Sequence, residues 1–469
     1  MNFRRHQRRD QHGRHRASVV ALALFASVLA VAAGTAASPI SPVHAAGLGA
    51  GGEYHPLSPT RIFDTRGAGI NATPGAIATS SAGGLVDVQI LGQGGVPAVA
   101  ADVLAVAISI TVTEPTQVGY LAAYPSGASA GISSVVNFAK GQNVPNLSVQ
   151  TVGANGKLTI KVVTGVSGTA HVLIDVFGWF STSNYTTNGA RLIPVGPARI
   201  MDTREVSFNP DAQPLGSAGL LTLAIRGADS QQPNITDIVP NSPDIVGVVL
   251  NVTGINDRSA SRSTYVSVLP ETPVGDPTTS NLNLAAGQIK ANLVIVPVGA
   301  DGSVRFFNLT GATDIAVDVV GYMQANQSPT TRLGRVIPLT APFRSLDTRE
   351  PSFGNVALGP NQSEGWSFSQ FVSSVLLDGQ AVGNQIALLG NLTGTDLTRA
   401  YPSTPASTFF TVYPSDVDRP FASNINLTEG ANVPNMAVVK LGADDQIKTY
   451  NQGGYLHYIF DVSAVVLED

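Results

Sequence analysis

The octapeptide Pro59-Thr-Arg-Ile-Phe-Asp-Thr-Arg66 returns as Pro197-Ala-Arg-Ile-Met-Asp-Thr-Arg204 and again as Pro342-Phe-Arg-Ser-Leu-Asp-Thr-Arg349, with two arginines and an aspartate in register each time. A chain that repeats a charged box three times must find a home for those charges three times, so the repeat constrains the fold before anything else does. Other boxes follow it in fixed order. Tyr120–Pro125, Tyr265–Pro270 and Phe409–Pro414 are alternating strands closed by proline; Asn137, Asn283 and Asn426 each precede a glycine by four residues, and Asn146, Asn292 and Asn435 follow that glycine by five. Late in each copy a strand opens on aspartate, at Asp175, Asp318 and Asp461. The spacing from Asp64 to Asp202 is 138 residues and from Asp202 to Asp347 is 145, too long for a solenoid unit and right for a whole domain.

Within a copy the pattern is β. Val103 to Val112, Val246 to Val252 and Ala387 to Leu392 are rich in Val, Ile, Leu and Thr, with turn signals such as Ala154-Asn155-Gly156 between such runs. Strands at intervals of roughly 8 to 12 residues predict a sandwich or barrel. The expectation is an all-β chain of three tandem jelly-roll-like β-sandwich domains, residues 46–183, 184–327 and 328–469, behind a signal peptide at 1–45.

That leader carries six arginines before Ala17, an apolar run, and Val43-His44-Ala45 as a small-residue cleavage site. Cleavage after Ala45 is the expectation, and a retained anchor over Ala17 to Ala37 is the alternative. Beyond it no apolar run is long enough to span a bilayer. Loss of residues 1–45 leaves 21 basic and 31 acidic residues, a net charge of −10, which argues against a nucleic-acid partner. The chain has no cysteine, so an exported form must rest on packed cores rather than disulfides.

The opening box, the Asn-x-x-x-Gly strand pair, the Gly-Ala-Asp-Gly turn and the terminal Asp-Val-x-Gly-Tyr/Trp strand together resemble the repeat modules of exported actinobacterial cell-surface proteins. The resemblance covers nearly all of residues 54 to 467 and implies a surface or extracellular location more than a chemistry. Copy three departs from the pattern after Asp461, and copy one lacks the asparagines that the other two hold at Asn251 and Asn391.

Strand alternation places Asp64 and Arg66 on one face and Arg61 on the other. A buried arginine needs a carboxylate, because an unpaired charge is costly to desolvate. The expectation is a structural ion-pair network of Arg61, Asp64, Arg66 and Asp175, repeated as Arg199, Asp202, Arg204 and Asp318, and as Arg344, Asp347, Arg349 and Asp461, joining first and last strands. The rival is a sugar site built on the same polar groups, although no aromatic platform recurs beside them. The repeated asparagines are expected to bond the backbone of their turn.

No catalytic residue, metal ligand or cofactor is expected. Four of the seven histidines lie in the leader, leaving His55, His171 and His457, so none recurs in all copies. His171 and His457 precede the late aspartate by four residues, where copy two has Asp314, and this is read as an exposed strand position. The aspartates are scattered rather than clustered for calcium. The loops that lengthen from copy to copy, with Asp257, Arg258, Arg262, Arg399 and Tyr401, are the candidates for partner contact. The function expected is adhesion or surface structure without catalysis, with cell-wall glycan or other surface-protein copies as partners. A carbohydrate-binding array is the alternative and a glycan hydrolase the distant third.

Overall fold

The computed structural model describes residues 51–67, 75–209, 211–231, 234–258, 262–328, 330–369, 376–377, 380–381, 384–400 and 406–469; the expected signal segment and Tyr401 lie outside them. The described residues are all-β apart from short 3₁₀ turns, and eight strands recur in each of three sets. In the first set an inner sheet runs Tyr54–Asp64, Gly168–Ser181, Val103–Thr113, Val144–Gln150, and an outer sheet runs Gly84–Gln89, Lys157–Thr164, Gly119–Pro125, Val136–Phe138. Counted along the set, the inner order is first, eighth, third, sixth, and the outer is second, seventh, fourth, fifth. Every one of these pairings is antiparallel, and the two interlocked Greek keys make a jelly roll.

The second set repeats the inner order with Arg191–Asp202, Asp314–Gln324, Ile245–Ile255 and Ile289–Pro297, and the third with Val336–Asp347, Tyr455–Leu467, Gln385–Thr398 and Val433–Lys440. Their outer sheets follow suit. Two small hairpins, Ala228–Gln231 with Asn234–Val239 and Leu376–Leu377 with Gln380–Ala381, are added to the second and third sets.

Burial separates the two layers. The third strand of the first set, Val103–Thr113, is buried at every position, whereas Gly84–Gln89 of the outer sheet alternates between covered and open residues. The six sheets close into a ring, and this covers the strands of the inner sheets on both faces except along the opening strands, where Ser58, Thr340 and Phe343 stay exposed. The three sixth strands touch one another pairwise, and Leu147, Val149, Leu293, Ile295, Ala437 and Val439 belong to one apolar cluster that continues into the interior of the third set. The first and second sets keep separate interiors of their own, the first around Ile108 and Ile160 and the second around Leu250 and Phe306. Apolar area removed from water by ring closure thus adds to that removed by each sandwich, at about 25 cal/mol per Å².

At one end of the ring the three opening strands meet. Gly52 bridges to Val336 and Tyr54 to Ala190, while Leu192 N donates to Gly334 O at 2.9 Å. Gly334 has a φ of +77°, and a Cβ there would lie 2.8 Å from Leu192 O, so both the backbone conformation and the close approach require glycine. Glu53, Arg191 and Arg335 occupy matching places at the start of the three strands. Glu53 accepts from Arg191 Nη2 at 3.3 Å and from Arg335 Nη2 at 3.0 Å, and Arg191, fully buried, also donates to the carbonyls of Thr331 and Ser328 at 2.7 Å. One acid and two bases at related positions tie the three sets together at this end.

Candidate functional site

Each opening box reaches its closing strand by the same geometry. Arg61 donates through Nε to Asp175 Oδ1 at 2.8 Å and through Nη2 to Oδ2 at 3.1 Å, a two-pronged pair across the sheet. Arg199 grips Asp318 at 2.5 and 3.3 Å, and Arg344 grips Asp461 at 2.8 and 3.1 Å. The second arginine of each box clamps the aspartate two residues before it. Arg66 donates from Nε, Nη2 and its backbone N to Asp64 at 3.0, 2.8 and 2.9 Å, and Arg204 to Asp202 and Arg349 to Asp347 do the same.

Arg61 does not face away from Asp64, as plain alternation would have it. Its Nη1 lies 3.4 Å from Asp64 Oδ2, and Arg199 and Arg344 approach Asp202 and Asp347 to 2.8 and 3.3 Å. The cause is a bulge in the opening strand between Arg61 and Phe63, repeated between Arg199 and Met201 and between Arg344 and Leu346. One extra residue reverses the parity of the strand, so positions three apart share a face. The four charges of each box therefore form one network. Its aspartates are buried, Asp64 at 1% exposure, while Arg66 at 41% covers them from outside. For Asp64, Asp202 and Asp347, burial opposes ionisation, but the hydrogen bonds and charge of the following arginine outweigh it and hold the carboxyl below its ordinary range. For Asp175 and Asp318 burial prevails over the arginine and pushes the carboxyl up.

The threonine inside each box is a second latch. Thr65 Oγ1 lies 2.9 Å from His171 Nδ1, Thr348 Oγ1 lies 3.0 Å from His457 Nδ1, and in the second set Thr203 Oγ1 donates to Asp314 Oδ1 at 2.8 Å. These positions are not exposed: the histidines are half-buried and Asp314 is buried. A histidine or an aspartate serves equally, because the threonine hydroxyl both donates and accepts.

The repeated asparagines do more than bond their own turns. Asn146 Nδ2 donates to Val135 O at 2.7 Å, within its set, and to Asn391 Oδ1 of the third set at 2.9 Å. Asn435 repeats this with Asn424 O and with Asn251 of the second set. The candidate partner loops are partly engaged within the chain. Arg258 Nε lies 2.6 Å from Asp314 Oδ2 and Arg399 Nε lies 2.6 Å from Glu429 Oε2, whereas Asp257 is exposed and Arg262 is bonded through its carbonyl to Asn256. Among the described residues no three His, Asp or Glu side chains gather as metal ligands.

One open polar site lies at a seam. Where the first set meets the third, a cavity of about 210 Å³ is lined by Ser134 and Asn137 from one side and by Arg344, Thr393, Thr395 and Asn432 from the other. Thr395 donates to Asn432 Oδ1 at 2.6 Å, and Asn391 Nδ2 reaches across to Ser134 O at 2.7 Å. The seam between third and second sets is closed at the corresponding place. There Arg199 Nη2 donates to the Phe421 carbonyl at 2.7 Å and Asn251 Nδ2 to the Ser423 carbonyl at 2.5 Å. Sequence reading missed the seam because its two walls lie over 200 residues apart.

No protein-family model matches the chain, and no curated protein does. Among solved structures, similarity is found to the triple jelly roll of an archaeal virus turret assembly, at 8% identity over 89% of this chain and 90% of that one, with a TM-score of 0.16. The Sulfolobus turreted icosahedral virus structure is similar at 9% identity over 89% and 91%, with the same score. A CBM22 tandem from Paenibacillus barcinonensis Xyn10C covers 48% of this chain and 80% of its own length at 11% identity and a TM-score of 0.15. At such scores these likenesses lend nothing to the function of this chain, which stands on its own geometry.

Proposed function

We propose that the chain is an exported, non-enzymatic protein of three tandem jelly-roll domains, residues 46–183, 184–327 and 328–469, which follow a signal peptide at 1–45 and work at or outside the cell envelope by adhesion or structural association. It needs no cofactor. The observation that carries this reading is the use of all three charged boxes as internal clamps between opening and closing strands. Side chains that would be the first choice for acid–base work are already partnered to each other, which is how a scaffold uses charge.

The carbohydrate-binding alternative is favoured by one observation, the open seam cavity with its arginine, threonines and asparagines. Association with wall glycan unites the two readings. Residues 46–469 mixed with isolated cell walls and sedimented should leave the supernatant in a saturable way, while ordered self-assembly without wall binding would favour a purely structural role. Release of soluble sugar from the walls, abolished by Asp461→Asn, would overturn the non-enzymatic reading.

A further inference from the structure

We infer that the seam cavity between the first and third strand sets is a binding site for the acetamido group of an N-acetylated sugar, an inference that rests on the glycan-association reading. The chain itself shows what the arginine at this position accepts. Arg199 spends one Nη2 hydrogen on Asp318 and the other on a secondary-amide carbonyl, that of Phe421. Its counterpart Arg344 makes the same pair with Asp461, yet Ile132, which holds the place of Phe421 in the first set, receives no hydrogen bond from it, and the cavity opens between them instead. The exposure of the two side chains records the difference, 10% for Arg199 and 24% for Arg344. Arg61, at the remaining seam, also has only carboxylate partners but is 17% exposed.

An acetamido group carries the same carbonyl on the same kind of nitrogen. Its methyl suits the two apolar residues at the cavity, Ile132 and Ile459, and the sugar hydroxyls suit Thr393, Asn137 and the amide nitrogen of Asn432, whose oxygen is turned to Thr395. Arg344 and Arg349 are matched by Asp461 and Asp347, so the site calls for a neutral ligand. A compact cavity with a ring of hydroxyl and amide groups fits a sugar better than an extended peptide, which would need a continuous groove.

The test uses the full chain from residue 46 with N-acetylglucosamine, glucose and N-acetylalanine methylamide as probes, read by saturation-transfer NMR and titration calorimetry. N-acetylglucosamine should bind saturably and glucose at least about tenfold more weakly, since the site would lose its amide partner. Ile132→Trp, at an exposed rim position, should fill the cavity and abolish binding without lowering the melting temperature; Arg344→Lys, which keeps the charge and loses the fork, should weaken binding. Glucose binding as tight as N-acetylglucosamine, binding that survives Ile132→Trp, or binding of the methylamide alone would each overturn the inference. Wall sedimentation that persists while N-acetylglucosamine fails to bind overturns it too and leaves the surface-association reading standing.

Discussion

Asn435 gives an Nδ2 hydrogen to Asn251 Oδ1 at 2.9 Å across the seam between the third and second strand sets, and its own Oδ1 accepts from Leu293 N at 2.9 Å. Asn146 does the same toward Asn391 and Met436 N at the next seam, at 2.9 and 3.0 Å. Both asparagines are thus saturated in a place closed to water, where an unmet polar group is costly. The third seam departs from this. Asn292 keeps its local bond to Asn281 O at 2.6 Å, but in the place of Asn251 and Asn391 the first set has Ser109, 3% exposed, whose hydroxyl finds no partner.

Ser109→Asn should therefore complete the third seam, with its amide between Asn292 and the carbonyl of Ser280. One further satisfied hydrogen bond adds about 0.5–1.5 kcal/mol, which a urea titration of the full chain would resolve. A loss of stability would mean that the larger side chain overpacks this seam.

The two arginines of a box are not equivalent. Arg199 is 10% exposed and holds Asp318, which is wholly buried, whereas Arg204 is 45% exposed and covers Asp202 from outside. Removing Arg199 strands a buried carboxylate and should cost about 3–5 kcal/mol, while removing Arg204 takes away a largely solvated partner and should cost under about 1 kcal/mol. Urea midpoints of Arg199→Met and Arg204→Met in the full chain separate the two. Equal losses would show that Asp202, not Asp318, is the focus of the network.

Lys290 has a different kind of tension. It sits where the other sets have Val144 and Val433, is 4% exposed, and its ammonium has no hydrogen-bond partner. Burial lowers its pKa from 10.5 to about 7. A base whose folded pKa is depressed binds fewer protons folded than unfolded between those values, so stability rises with pH from about 7 to about 10.5. Below about pH 7 the penalty is at its full size, roughly 5 kcal/mol. Lys290→Met should stabilise the chain most at pH 6.5 and progressively less toward pH 10. A difference between variant and parent that does not change with pH would place the ammonium in contact with solvent.

Much of this was legible in the residues. The triple box and the late aspartates identified the partners of the network, because charges spaced so regularly in an otherwise apolar sequence need each other. What could not be read was the bulge after Arg61, since one inserted residue reverses parity without any composition signal beyond the box itself. Ring closure left a fainter mark. Val103 to Val112 and Val246 to Val252 are nearly continuous apolar runs rather than alternating ones, the pattern of strands covered on both faces. The Thr65 latch to His171 was obscured because Asp314 replaces the histidine in the second set, so the position reads as an exposed strand site rather than as an exchange of acceptor.

The shared centre makes a last prediction about parts. Made alone, residues 46–183 would uncover Leu147, Val149, Phe177 and Phe180, all buried in the cluster that the three sets hold in common. Exposed apolar patches of this kind drive association, and the natural solution is for three copies to rebuild the ring around the same strand, Val144–Gln150. Every seam of such a homotrimer would carry Ser109 opposite Asn146, with the amide of Asn146 lacking the oxygen it receives from Asn391. The fragment should therefore elute as a weak, concentration-dependent oligomer by light scattering, and Ser109→Asn should shift it toward a stable trimer. A fragment that stays monomeric at all concentrations and unfolds cooperatively would show that the first jelly roll is sufficient by itself and that ring closure contributes little to its stability.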